Sequence, residues 1–357
     1  MNKIIFTGGG TAGHVVPNMV LISELNKEGW DINYIGSENG MERELIEKVG
    51  TSYHPIPTGK LRRYFDVKNF TDPFKVIKGV FEAVKIIKKI KPDILFSKGG
   101  FVSVPVVVAS WLNSVPIIIH ESDMTPGLAN KISMVFAKKV CVNFPETLSY
   151  IGKNKAVLTG TPIREELFKG SILKGLEICG FDKEKPVLLL TGGSQGSKKL
   201  NSILRDSLNE LLKKFQIVHL CGKGNIDKNF IDINGYKQFE YLTDELTHIF
   251  ATSDVVVSRA GANTIYELLQ LQKPNILIPL SAKSSRGDQI LNAKSFEKQG
   301  FSIVLDEDKI SMEEFTNKIY ELYENRELYI SNMKKSNLKD GKDAIISLIK
   351  QQAKKTS

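Results

Sequence analysis

Two glycine-rich stretches and a few polar side chains carry most of the chemistry legible in this sequence. Gly8-Gly9-Gly10-Thr11-Ala12-Gly13 fits the spacing G-x-G-x-x-G, and Gly192-Gly193-Ser194-Gln195-Gly196-Ser197 makes a second turn of the same kind. Each follows an apolar run and precedes a helical pattern. Such a turn brings backbone close to a ligand and offers an anion the N–H groups and positive dipole end of a helix. The first loop taken alone also fits a dinucleotide site, with Glu38 as the ribose acid, or a turn that needs glycine for steric reasons. The second lacks Gly-Lys-Ser/Thr at P-loop spacing, which argues against ATP hydrolysis of that type.

His14 stands where the first helix should begin. The positive helix end disfavours imidazolium, so a neutral imidazole can serve as general base there, or as a donor to an anion. His120-Glu121 closes an apolar run, and Glu121 is the second acid–base candidate. Glu267, one turn inside a predicted helix, can accept from hydroxyls or complement the helix dipole. Gln289 offers both a donor and acceptors to sugar hydroxyls. His54, His219 and His248 stand alone and read as structural or exposed.

The elements that must hold these residues alternate from end to end. Apolar runs at 3–7, 31–36, 93–97, 116–120, 139–142 and 156–159 predict strands in the first half. Runs at 186–191, 216–220, 237–241, 254–258, 275–279 and 301–305 predict strands in the second. Helical periodicity lies between them, as at 16–28 and 200–215. Uniformly apolar strands alternating with helices imply parallel sheets covered on both faces. Ile4-Ile5-Phe6-Thr7-Gly8-Gly9 and Leu188-Leu189-Leu190-Thr191-Gly192-Gly193 repeat one strand–Thr-Gly-Gly–helix opening. The fold expected is therefore α/β, with two Rossmann-like domains over 1–163 and 164–341. A linker falls near 160–164, and a terminal helix from about 342 packs back on the first domain.

The chain has 357 residues, enough for two domains, and its 41% apolar and 25% charged residues are ordinary globular values. No apolar run is long enough to span a bilayer, and the N-terminus lacks a signal-peptide pattern, so a cytoplasmic protein is expected. A net charge of +9 favours an anionic partner. Cys141, Cys179 and Cys221 are scattered singly, which disfavours both structural zinc and a disulfide framework. The stretch 61–74 mixes Leu61, Phe65, Phe70 and Phe74 with Arg62, Arg63 and Lys68, and more lysines follow to Lys91. Aromatic wedges among cations suit an anionic membrane surface. No nucleic-acid motif accompanies the basic residues, so nucleic acid is not the expected partner.

Taken in order, the motifs resemble the MurG family. They are Gly9-Gly10-Thr11-Ala12-Gly13-His14, Ser97-Lys98-Gly99-Gly100-Phe101-Val102-Ser103, His120-Glu121-Ser122-Asp123 and Gly160-Thr161-Pro162-Ile163-Arg164. Next come Gly192-Gly193-Ser194-Gln195-Gly196, Ser258-Arg259-Ala260-Gly261-Ala262-Asn263-Thr264 with Glu267, and Asp288-Gln289-Ile290-Leu291-Asn292-Ala293. The resemblance covers nearly the whole chain and implies a GT-B architecture with its active site in the interdomain cleft. The implied reaction is inverting transfer of N-acetylglucosamine from UDP-N-acetylglucosamine to the C4 hydroxyl of undecaprenyl-diphospho-N-acetylmuramyl-pentapeptide. It would take place at the cytoplasmic membrane face, in peptidoglycan synthesis, with other cell-wall synthesis proteins as possible partners.

No cofactor or catalytic metal is implied, and no Asp-x-Asp is expected in a site loop. The resemblance assigns Thr11, Ala12, Gly13, Asp123, Arg164, Ser194, Leu242, Ala262, Asn263, Thr264, Glu267 and Gln289 to the donor, and His14 or Glu121 to catalysis. Ala12 and Asp123 depart from the family's frequent Gly and Asn. Competing readings are a diacylglycerol glucosyltransferase, a UDP-N-acetylglucosamine 2-epimerase, a dinucleotide-dependent oxidoreductase and a non-catalytic sugar-nucleotide sensor.

Overall fold

Side chains of a strand alternate between the two faces of its sheet, and both faces of the first strand, β1 (Lys3–Thr7), are buried. Ile4 and Phe6 pack with Val15, Leu21 and Leu25 of the Ala12–Lys27 helix, whereas Ile5 packs with Ala83, Ile87, Val106 and Val107 on the other face. A strand covered on both sides has little room for polar residues, which is why these runs are continuously apolar.

The structure is a computed structural model that describes residues 1–59, 68–152, 154–193 and 195–353, without the side chains of 68–73. The sequence readings at Leu61, Phe65 and Ser194, and at the Phe70 side chain, lie outside the described residues.

The chain divides into two compact units, Met1–Ile163 with Leu338–Ser357, and Arg164–Asn337. In the first unit, β1 is followed by β2 (Asp31–Ser37), β3 (Ser52–Ile56), β4 (Ile94–Ser97), β5 (Ile117–Glu121), β6 (Lys139–Val142) and β7 (Ala156–Leu158). They form a parallel sheet in the order β3-β2-β1-β4-β5-β6-β7, with Phe6 in register between Tyr34 and Phe96. The second unit holds β8 (Val187–Thr191), β9 (Gln216–Leu220), β10 (Tyr236–Phe239), β11 (Val255–Ser258), β12 (Asn275–Leu277) and β13 (Ser302–Val304). Their order is β10-β9-β8-β11-β12-β13, also parallel. Both sheets reverse direction of growth between their first strand and the one that crosses over, and ligands bind at the carboxyl ends beside such a switch point.

Three local expectations are corrected. β3 was not expected; it carries Pro55 and buries fully only Ile56, so it is an edge strand without an apolar run. The helix expected over 200–215 divides into Lys198–Asp206 and Leu208–Leu211, and the Ser207 hydroxyl bonds back to the Ile203 carbonyl at 2.7 Å. The first helix begins at Ala12, four residues before the expected start, which places His14 in its first turn.

The terminal helix Lys342–Gln352 belongs to the first unit, where Ile345, Ile346, Leu348 and Ile349 enter the core beside β1, β2 and β4. Lys350 pairs with Glu28 at 2.7 Å, and the Ile163 amide donates to Asp340 at 3.1 Å.

Candidate active site

In the first unit the switch point lies between β1 and β4, and the motifs following these strands meet there. Gly100 has φ +83°, and a Cβ on it would collide with the Gly9 carbonyl, so only glycine lets the two loops approach this closely. Glu42 is fully buried under the first loop: its carboxylate accepts from the Gly10 amide at 3.2 Å, the Ser37 amide at 3.2 Å and the Ser37 hydroxyl. Glu42 was not legible as a site residue, because its helix Met41–Lys48 is rich in charge and only the fold turns this one side chain inward.

His14 is half-buried, with Nδ1 3.0 Å from the Gly9 carbonyl oxygen and 3.2 Å from the Thr11 hydroxyl. A carbonyl oxygen can only accept, so Nδ1 carries a proton, and in the neutral ring the lone pair is then at Nε2. The glycine loop thereby fixes the tautomer as well as the ring. Thr11 and Ala12 are exposed and Gly13 is half-buried.

His120 and Glu121 close β5, at the carboxyl end of the strand. His120 is completely buried: Nδ1 accepts from the Lys98 ammonium at 2.9 Å, and Nε2–H donates to Asn143 Oδ1 at 2.8 Å. Burial, and then the Lys98 charge, hold its pKa well below the usual histidine range. Glu121 is 4% exposed and accepts from the Asp123 amide at 3.0 Å, the Gly127 amide at 3.1 Å and the Asn130 side chain at 2.8 Å. Burial raises its pKa, with a further push from Asp123, while these donors oppose the shift. The Glu121 carboxylate thus holds the 122–127 segment in place. Asp123 is half-buried within that segment.

In the second unit the corresponding switch point lies between β8 and β11. The 192–197 loop runs from β8 to the Lys198–Asp206 helix, whose N-cap Ser197 accepts from the Leu200 amide. Gly196, at φ +72°, packs so tightly on the Cys221 carbonyl that a side chain there would collide with it. Arg259, after β11, is nearly buried and ties four segments together. It donates to the Ser197 hydroxyl at 2.7 Å, the Ile278 carbonyl at 2.9 Å, the Pro279 carbonyl at 3.3 Å and the Glu307 carboxylate. Glu307 in turn accepts from the Ser281 amide at 3.1 Å.

The helix Ala262–Gln270 begins directly after β11, with Ala262 buried and Asn263 and Thr264 half-buried in its first turn. Glu267 lies one turn further, its side chain 16% exposed, with Oε1 3.6 Å from Arg164 Nη2. Burial raises the Glu267 pKa and the Arg164 charge opposes the rise. Gln289 lies in the Asp288–Lys298 helix and accepts from the Leu280 amide at 3.1 Å, which orients its amide group. Leu242 is buried in the loop after β10. Seven residues assigned to the donor in sequence, namely Arg164, Leu242, Ala262, Asn263, Thr264, Glu267 and Gln289, therefore sit in this unit on or beside the loops following its strands.

Among the described residues no cluster of three or more His, Cys, Asp or Glu side chains is placed to hold a metal. Asp306-Glu307-Asp308, after β13, does have Asp-x-Asp spacing, although no such spacing was expected in a site loop. Its groups are engaged locally: Glu307 with Arg259, and Asp308 with the Ser281 hydroxyl at 2.8 Å and Lys283 at 3.5 Å.

Away from the strand ends, the Lys68–Ile90 helix leaves Phe74, Ile77 and Phe81 75%, 55% and 66% exposed. Their spacing puts them on one face. Trp111 and Leu112 of the Ser103–Leu112 helix are also exposed. Among the described residues no helix is long and apolar enough to cross a membrane.

Comparison with known proteins agrees with this geometry. Residues 4–142 match the Glycosyltransferase family 28 N-terminal domain and residues 187–348 match the Glycosyltransferase family 28 C-terminal domain. The chain is 63% identical over 347 residues to the UDP-N-acetylglucosamine--N-acetylmuramyl-(pentapeptide) pyrophosphoryl-undecaprenol N-acetylglucosamine transferase of Clostridium tetani, covering 97% of each chain. It is 62% identical to the protein of the same name from Clostridium novyi, covering 99% of each. Among solved structures it resembles Acinetobacter baumannii MurG, with a TM-score of 0.77 at 23% identity, covering 98% of this chain and 100% of that one. Two parallel-sheet units and matches to both family domains converge on one conclusion: the chain belongs to glycosyltransferase family 28, the MurG-type GT-B transferases.

Proposed function

We propose that this enzyme transfers N-acetylglucosamine from UDP-N-acetylglucosamine to the C4 hydroxyl of a polyprenyl-diphosphate-linked N-acetylmuramyl-pentapeptide, with inversion at the anomeric carbon. Near-full-length identity of about 60% to relatives named for this reaction supports the substrates. The observation that carries the chemistry is the His14 Nδ1 contact with the Gly9 carbonyl, which in the neutral ring puts the basic lone pair at Nε2. The acceptor oxygen bonds to the anomeric carbon as the bond from that carbon to the UDP oxygen breaks. The acceptor's proton goes to His14 Nε2, and the bonding pair leaves with UDP.

In the second unit, the backbone N–H groups of the 192–197 loop and the N-terminus of the helix after it offset the charge that builds on the diphosphate. Such fixed donors can replace a metal ion. Glu267 accepts from the ribose hydroxyls, held by Arg164, and Gln289 bonds the sugar. Thr11, Ala12, Gly13, Asp123, Leu242, Ala262, Asn263 and Thr264 complete the donor assignments. Glu121 orders the 122–127 segment, which favours His14 over Glu121 as base.

We place the enzyme peripherally on an anionic membrane at the cytoplasmic face, where the acceptor is anchored. Phe74, Ile77 and Phe81 would enter the interface among the lysines of the same helix. Transfer of labelled N-acetylglucosamine to a short-chain lipid-linked muramyl-peptide tests the function. Release of free sugar or formation of an epimer without acceptor would overturn it, and would favour the 2-epimerase reading.

A further inference from the structure

Lys98 is a lysine with no room for its charge. It follows β4, is 1% exposed, and directs its ammonium into the first unit instead of into water. Two groups receive it: His120 Nδ1 at 2.9 Å and the Ser122 hydroxyl. In its protonated form the amine can only donate, so the Ser122 oxygen then accepts and the hydroxyl's own hydrogen points away from Nζ. Ser122 is half-buried and opens the segment whose Asp123 and Gly127 amides are bound by Glu121. One segment is thus held by a buried cation at its first residue and by a buried carboxylate further along. The stem of Lys98 also reaches the other loop. Its amide donates to the Thr7 carbonyl at 2.9 Å, and a Cβ on Gly8 would lie 3.1 Å from Lys98 Cβ and 2.9 Å from the His14 carbonyl.

We propose that Lys98 is a positioning residue for the acceptor side of the transfer. Its buried ammonium anchors the 122–127 segment through Ser122 and leaves that hydroxyl polarised as a donor to an oxygen of the acceptor head group. A buried amine is a costly way to fill space; a methionine of similar length would fill it without charge. The arrangement makes physical sense if the charge orients a group that meets a ligand. This inference rests on the proposed function for the identity of the acceptor, but not for the anchoring itself.

The test uses the full chain as wild type, Lys98→Met, Ser122→Ala and the double variant, each shown to be folded by retained thermal protection by UDP. Lys98→Met and Ser122→Ala should each raise the apparent KM for the lipid-linked acceptor on the order of tenfold. The KM for UDP-N-acetylglucosamine should change severalfold less than the acceptor KM, even though the donor-assigned Asp123 lies in the same segment, because the lost interaction is made with the acceptor and is felt mainly in that substrate's constant. The double variant should be no worse than the poorer single, the non-additivity expected of residues acting through one contact. Ser122→Thr, which keeps the hydroxyl, should restore most of the loss. Amide hydrogen exchange across 122–127 should accelerate in Lys98→Met. Unchanged acceptor KM in both single variants, or multiplying effects in the double, overturns the proposal. A wild type without turnover on this acceptor overturns the proposed function instead; exchange alone then decides, and unchanged exchange in Lys98→Met ends the anchoring claim.

Discussion

Glu267 Oε1 stands 3.6 Å from Arg164 Nη2, the carboxylate largely buried and the guanidinium at the first residue of the second unit. A cation at this range keeps an otherwise raised carboxyl pKa from rising further, and so favours the anion that can accept from two ribose hydroxyls. UDP should raise the melting temperature of the wild type. Glu267→Ala should weaken UDP binding on the order of 10- to 100-fold, the range for hydrogen bonds to a charged group. Titration calorimetry or a thermal-shift series with UDP checks this. Equal affinity in both proteins would remove Glu267 from the nucleotide site.

Burial pushes the Lys98 amine down to about 7 from the usual lysine value, against the pull of Glu121 and Asp123. Between that value and the unfolded-state value the unfolded chain binds more protons, so this group makes stability rise with pH. Lys98→Met lacks the group. The melting temperature of wild type minus that of the variant should therefore increase from pH 7 to pH 10. A difference that is flat or falls over that range would mean that the amine is not desolvated as described.

The exposed face of the Lys68–Ile90 helix predicts membrane binding. Vesicles containing anionic lipid should retain the protein, and salt should weaken the association by screening the lysines. Changing Phe74, Ile77 and Phe81 to Ser should release most of it, since each buried apolar side chain contributes about 1.5–3 kcal/mol. If the triple variant sediments with vesicles as wild type does, the docking surface is elsewhere.

The proposal that backbone and a helix N-terminus hold the diphosphate predicts that turnover in excess EDTA stays within a few-fold of turnover with magnesium. Abolition by EDTA with recovery on adding magnesium would contradict the metal-free reading. In that event the Asp306-Glu307-Asp308 segment would be the first place to look for ligands.

The sequence revealed the strands and loops far better than the wiring beneath them. Runs such as Ile4-Ile5-Phe6 declare a strand buried on both faces, and the glycines after them declare a close approach, because both constraints act locally. Glu42 declares nothing as a charged residue in a charged helix, and Lys98, although part of a motif, carries no local sign of its burial between a serine and a glycine. Arg259 was visible as part of a motif, but its link to Glu307 spans 48 positions and depends on which strands are neighbours. The partners of His120 are equally hidden in the sequence, since they arrive from the ends of β4 and β6.

As general base, His14 acts mainly in the transition state. The measurement is turnover of His14→Ala at saturating donor and acceptor, on protein whose folding and UDP protection match wild type, across the acidic side of the pH profile. Turnover should fall about 10²–10⁴-fold with little change in donor affinity. In wild type the rate should fall with acidification, because imidazolium has no lone pair at Nε2, and the variant should lose that dependence. A variant that keeps more than about a tenth of wild-type turnover, with the acidic limb intact, would contradict the assignment.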